Sequence, residues 1–77
     1  MKLNDRQNLE FMNHPDRVIA QKRLNATMER MRMTQTLSAQ AVLTCMPIVL
    51  KQLSDDYENL IAVEAKVEAE ILAKGDN

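Results

Sequence analysis

The sequence is poor in the residues that build catalytic and metal sites. It holds one histidine, His14, and one cysteine, Cys45, among its 77 residues. A structural zinc site needs four His or Cys ligands, and a disulfide needs two cysteines, so neither is expected. There is no glycine-rich loop to cradle a phosphate. We therefore predict that the chain is not an enzyme and takes no cofactor, metal ion or small-molecule substrate.

Glycine, proline and aromatic residues are also scarce. The chain has one glycine, Gly75, two prolines, Pro15 and Pro47, and the aromatic residues Phe11 and Tyr57. Good helix formers such as Ala, Leu, Met, Glu and Lys supply much of the remainder. No run alternates between apolar and polar residues as a half-buried strand does. These features predict a single all-α domain over residues 1–77.

Local signals divide the chain into three predicted helices, at about residues 4–12, 15–45 and 47–74. Asn4 is a helix cap, and Pro15 suits the first position of the second helix. Thr44 is a candidate cap for the third helix, with Pro47 in its first turn, and Gly75 ends that helix. Two alternatives are open: a break within 34–36, or one long helix kinked at Pro47.

Apolar residues recur at helical spacing in the two long segments. The second helix has one stripe at Ala20, Leu24, Met28 and Met31, and another at Ile19, Ala26, Met33 and Leu37. The third has a heptad seam, interrupted only by Glu64: Met46, Leu50, Leu53, Tyr57, Leu60, Glu64, Val67 and Ile71. The methionines either fill a core or line a groove for a partner helix.

Two apolar stripes on one helix imply more than one neighbour. The sequence thus predicts an antiparallel helical hairpin crossed by a short N-terminal helix and completed as a bundle by a second copy or a partner protein. The residues expected at that interface are Met28, Met31, Leu50, Leu53, Tyr57, Leu60, Glu64, Val67 and Ile71. With a turn near residue 46, Glu64 lies level with Met28. It is then either paired with Arg23 or Arg30, or solvated beyond the end of the seam.

Charge is unevenly distributed along the chain. Residues 1–33 carry seven Lys or Arg and four Asp or Glu, whereas residues 34–77 carry three and seven. A basic face of Lys22, Arg23, Arg30 and Arg32 is the best candidate for binding nucleic acid. These four side chains spread around the helix, and the sequence pI of about 5.7 is slightly acidic, so direct nucleic-acid binding is disfavoured.

The most apolar run, residues 41–50, is too short to span a membrane, which needs about 20 such residues. The first twelve residues lack the apolar stretch of a secretory signal, and with the single cysteine this predicts a cytoplasmic location. The predicted function is a small protein-binding module, namely an adaptor, chaperone or inhibitor, by analogy with chains common in phages and secretion systems. The alternatives are a structural subunit of a helical assembly and a small nucleic-acid-binding regulator.

Overall fold

The computed structural model describes residues 2–75, which form three α-helices. These are α1 (Asp5–Asn13), α2 (Pro15–Thr34) and α3 (Ala39–Lys74). No strand occurs among the described residues, so the all-α prediction is confirmed. The predicted boundary between the second and third helices at residues 45–47 is wrong, because α2 ends at Thr34 and α3 begins at Ala39.

Three of the predicted helix ends are confirmed by their hydrogen bonds and dihedral angles. The Asn4 side chain accepts the backbone N–H of Gln7, whose own side chain accepts the N–H of Asn4. Pro15 opens α2, where the His14 side chain accepts the backbone N–H of Asp16 through Nδ1. Gly75 ends α3 with a φ of 76°, a left-handed conformation that favours glycine.

The turn between α2 and α3 lies where the sequence is weakest in helix signals. The Thr34 hydroxyl donates to the Arg30 carbonyl, and the Ser38 side chain accepts the N–H of Ala41 as the cap of α3. Thr44, the predicted cap, instead donates to the Gln40 carbonyl within α3. The break expected near residues 34–36 is found at residues 35–38. Pro47 lies inside α3, so a helix continues through it, but the second and third predicted helices do not form one long helix.

Replacing Ser38 with Ala is expected to lower the free energy of unfolding by about 1 kcal/mol, because the first turn of α3 loses its side-chain acceptor. Thr44→Ala is the matched control. It lies in the helix interior, where Ala is the better helix former, so it should be neutral or slightly stabilising. Urea unfolding followed by circular dichroism measures both. A larger loss for Thr44→Ala than for Ser38→Ala would contradict the assignment of the cap.

Side-chain pairs between α2 and α3 run in opposite order along the two helices. Arg17 contacts Glu64, Thr27 contacts Asp56 and Arg30 contacts Gln52. The residue numbers of these partners add to between 81 and 83. Thr34 therefore lies level with about residue 48, and α3 begins roughly 13 Å beyond it at 1.5 Å per residue. We call residues 35–48, which project past α2, the tip.

The buried core is small and runs along a molecule of 56 × 18 × 16 Å. It is formed by Ala20, Leu24, Val49, Leu60, Val67 and Ile71, with the polar side chains of Thr27, Thr34 and Asp56. In α2 the two threonines continue the Ala20–Leu24 stripe in place of Met28. The second predicted stripe is largely outside the core, since Ile19, Met33 and Leu37 are exposed.

Candidate apolar interface

An apolar groove lies between α2 and α3, on one side of the core. It has a volume of about 530 Å³ and is lined by Leu24, Met28, Met31, Leu50, Leu53, Ser54 and Tyr57. Met28, Leu50 and Tyr57 are each about half exposed at its edges. The groove thus brings together five residues that the sequence predicts at an interface: Met28, Met31, Leu50, Leu53 and Tyr57.

Three other predicted interface residues lie in the chain's own core instead. Leu60, Val67 and Ile71 are buried within this single chain, and Leu60 packs in one cluster with Ala20 and Leu24. They are therefore covered without a second chain, whereas Leu50 of the same heptad seam is half exposed. The buried face of α3 departs from the heptad seam before Leu60, because α3 turns Asp56, rather than Tyr57, toward α2.

Glu64 pairs with a different arginine from those expected. Its carboxylate accepts a hydrogen bond from Arg17 Nε at 2.9 Å, and Arg17 also donates to the Met12 carbonyl. The Phe11 ring lies 5.3 Å from the Arg17 guanidinium carbon, which ties α1 to this pair. Arg23 and Arg30 are not partners of Glu64, because the turn lies about ten residues earlier than expected and the pairing shifts with it.

The groove opens onto a row of apolar side chains along α3, which we call the outer stripe: Leu43, Met46, Leu50, Tyr57 and Ile61. Its spacing of 3, 4, 7 and 4 keeps these residues on one side of a helix. Met46 is partly buried, and the other four are exposed. Leu43 is 77% exposed, and Leu50, Tyr57 and Ile61 are each about half exposed. Leu43 and Ile61 were not predicted from the sequence. They lie three residues before Met46 and four residues after Tyr57, so a search for 3–4 spacing outside the heptad seam would have found them.

The tip adds to this surface because it carries no charge. Residues 33–50 contain no Asp, Glu, Lys or Arg, and the tip exposes Leu37, Leu43 and Ile48. Covering an apolar helix end of this kind with another surface is favourable by about 25 cal/mol per Å² of apolar area buried. The groove and the outer stripe, which begins on the tip at Leu43, together form one candidate interface. Ile48 lies about 160° around α3 from Leu50 and is outside it.

The predicted basic face does not form a single cationic surface. Arg30 donates to Gln52 across the helix pair, and Arg32 donates to both oxygens of Glu29 at 2.5 and 2.6 Å. The hydrogen bond from Glu29, together with its charge, raises the pKa of Arg32. Lys22 and Arg23 are exposed on α2. Two of the four side chains are therefore committed to partners within the chain.

His14 and Cys45 lie at opposite ends of the molecule. His14 Nε2 is 3.5 Å from Glu70 Oε2, and Cys45 lies 25 residues before Glu70 on the same helix. That separation is roughly 37 Å along α3, so the two side chains cannot act together. Among the described residues, no three His, Cys, Asp or Glu side chains are grouped to hold a metal ion. Within residues 2–75 no helix has the length and apolar character needed to cross a membrane.

Comparison of the chain with protein-family models, curated proteins and solved structures finds no match.

Proposed function

We propose that the chain is a small helical protein-binding module, acting as an adaptor, chaperone or inhibitor by packing a helix of another chain against α2 and α3. In this proposal α2 and α3 form an antiparallel hairpin whose open apolar side is completed by the bound chain. The observation that carries the proposal is the apolar surface formed by the groove and the outer stripe.

Two features favour a helix as the bound element. The groove runs between two helices, and helix-in-groove recognition uses apolar anchors at the 3–4 spacing of the outer stripe. Met28 and Met31 on one wall are flexible and polarizable, so they can adapt to an incoming side chain. The lining contains no charged side chain whose burial would need a partner.

Capture from the native host tests the proposal when matched variants are compared. We expect the wild-type chain to capture a defined protein that re-forms a complex from purified components. Leu50→Asp should abolish that complex, because it places a carboxylate at the edge of the groove. Ile48→Asp is the control, since Ile48 is 70% exposed and lies about 160° around α3 from Leu50. Equal capture by wild type and Leu50→Asp would contradict the proposal.

A structural subunit of a helical assembly is the second candidate, favoured by the rod shape of 56 × 18 × 16 Å. Open-ended filaments at raised concentration, in place of a closed complex, would select it. Salt-sensitive binding to plain duplex DNA would instead select the nucleic-acid-binding regulator. Nucleic-acid binding is disfavoured because two cations of the basic face already have partners within the chain. Arg30 donates to Gln52, and Arg32 donates to Glu29.

A further inference from the structure

We infer that the buried hydrogen bond between Thr27 and Asp56 keeps the apolar groove open, because it fixes which faces of α2 and α3 meet. The inference rests on the proposed function, since it assigns the positioning residues of that same surface. The Thr27 hydroxyl donates to Asp56 Oδ2 at 2.5 Å, and the two residues are 1% and 8% exposed. Both lie within the stretches of α2 and α3 that line the groove, but neither belongs to the lining. A change in either residue therefore acts on the groove through the arrangement of the helices.

The same pattern occurs on both helices. On α2 the polar Thr27 is buried, and Met28, the next residue, is 49% exposed. On α3 Asp56 is buried, and Tyr57, the next residue, is 56% exposed. Successive residues of an α-helix lie about 100° apart, so a helix that turns one residue inward turns the next one to the side. Met28 and Tyr57 both line the groove, and their position follows from the pairing of the residues before them.

Hydrophobic burial alone favours a different rotation of α3. A turn of about 50° about the helix axis, half the angle between successive residues, moves Leu50 and Tyr57 toward α2 and Asp56 toward water. The face presented to α2 is then the predicted heptad seam, and Leu60 belongs to both faces. The exchange covers a leucine and an aromatic ring in place of Val49 and a carboxylate, which the burial of apolar area favours. A contact specific to the observed face must therefore oppose it.

The hydrogen bond between Thr27 and Asp56 is that contact. A carboxylate out of water needs a donor, and a bond to an ionised acceptor is among the stronger hydrogen bonds. The Thr27 hydroxyl is attached at Cβ, so it cannot follow Asp56 through the rotation. The contacts that Arg17 and Arg30 make with α3 come from long side chains with the rotamer freedom to adjust. Buried polar pairs specify one arrangement in some proteins, and here that arrangement leaves the groove uncovered.

Tyr57 reports the rotation directly, because it is the single tyrosine of a chain that has no tryptophan. Its fluorescence therefore arises at the edge of the groove, where acrylamide, a neutral quencher, reaches the exposed part of the ring. In the purified full chain, Thr27→Val should lower the acrylamide quenching constant at least about twofold, because the carboxylate left without a donor turns toward water and the ring turns inward. Asp56→Ala should lower it as well, since it removes the acceptor and leaves the observed face only a small side chain.

Two control variants separate rotation of α3 from loss of stability. Thr27→Ser keeps the hydroxyl and removes a buried methyl group, so it should destabilise the chain and leave the quenching constant within about 20% of wild type. Thr27→Val combined with Asp56→Leu places two apolar side chains on the observed face, so it should also retain the wild-type constant. Far-UV circular dichroism establishes that each chain compared is folded. If Thr27→Val is unfolded, Asp56→Ala decides, because it buries no unpaired charge.

Unchanged quenching in a folded Thr27→Val chain overturns the inference, because the hydrogen bond then only stabilises the core. The same result in Asp56→Ala overturns it if Thr27→Val is unfolded. A Thr27→Ser chain that is quenched as weakly as Thr27→Val also overturns it, since loss of stability alone then accounts for the change.

Capture of the protein partner separates this inference from the proposed function. If Thr27→Val lowers the quenching constant but Leu50→Asp captures as well as wild type, the pair positions the helices and the protein-binding function fails. If the quenching constant is unchanged but Leu50→Asp abolishes capture, only the inference fails. If both hold, Thr27→Val should also lose most of the captured partner while Thr27→Ser retains it, because Leu50 has turned toward α2.

Discussion

Leu60→Asp is expected to leave the chain unfolded at room temperature. Leu60 is only 6% exposed and packs against Ala20 and Leu24 at the centre of the helix pair. Truncation of such a side chain to Ala already costs about 2–5 kcal/mol, and a buried carboxylate without a partner costs more. A core of this size rarely supplies more than roughly 3–5 kcal/mol, so the loss matches or exceeds the whole stability.

Far-UV circular dichroism and amide proton dispersion in NMR spectra measure this outcome. Ile48→Asp introduces the same carboxylate at an exposed position of the same helix, and it should keep both signals. Leu60→Met conserves volume and should lower the free energy of unfolding by less than about 1.5 kcal/mol. A Leu60→Asp chain with native helicity and well-dispersed amides would show that α2 and α3 do not share this core.

Thr27→Val is expected to lower the free energy of unfolding by about 2–3 kcal/mol. The Thr27 hydroxyl donates to Asp56 Oδ2 at 2.5 Å, and the two residues are 1% and 8% exposed. Valine has nearly the same shape but cannot donate, so the buried carboxylate loses a charge-assisted hydrogen bond. The penalty arises from the acceptor left behind, and removing that acceptor as well should therefore recover much of the loss.

A double-mutant cycle with Asp56→Leu measures that recovery. Thr27→Val combined with Asp56→Leu should be more stable than Thr27→Val alone, because both polar partners are replaced by apolar ones. Thr44→Val is the control for the change from Thr to Val in a helix, since Thr44 is exposed and bonds only locally. Strictly additive losses at Thr27 and Asp56 would rule out a coupled buried pair.

The helix ends that depend on neighbouring residues were predictable from the sequence. Asn4, Pro15 and Gly75 act through atoms within three residues of themselves, so their roles do not depend on the rest of the fold. The turn was misplaced because Pro47 is the stronger apparent boundary, while residues 35–38 contain neither Gly nor Pro. Pro47 is tolerated inside α3 because it is exposed and lies where α3 leaves the cover of α2, so packing opposes no kink there.

The face that α3 turns toward α2 was predictable only in part. From Leu60 onward the heptad seam and the observed core share Leu60, Val67 and Ile71. Before Leu60 the core contains Val49 and Asp56, whereas the seam contains Leu50 and Tyr57. A search for apolar periodicity passes over Asp56 and Thr27, because a polar residue at a core position is recognisable only when its partner is known. The displaced apolar residues are the ones that form the exposed surface.

The opposite order of the α2 and α3 contacts also governs when the chain can fold during its synthesis. The buried side chains of α2, from Ala20 to Thr34, lie level with about residues 48–62 of α3. The contact of Arg17 with Glu64 can form only after Glu64 has been synthesised. The ion pair of Glu10 with Lys74 can form only after Lys74, 64 residues later, has been synthesised. Most of the stability of a helix in a protein comes from packing against other elements, which α2 lacks until α3 is present. The N-terminal half therefore emerges from the ribosome without a core, and the native structure forms only after nearly all of α3 has been translated.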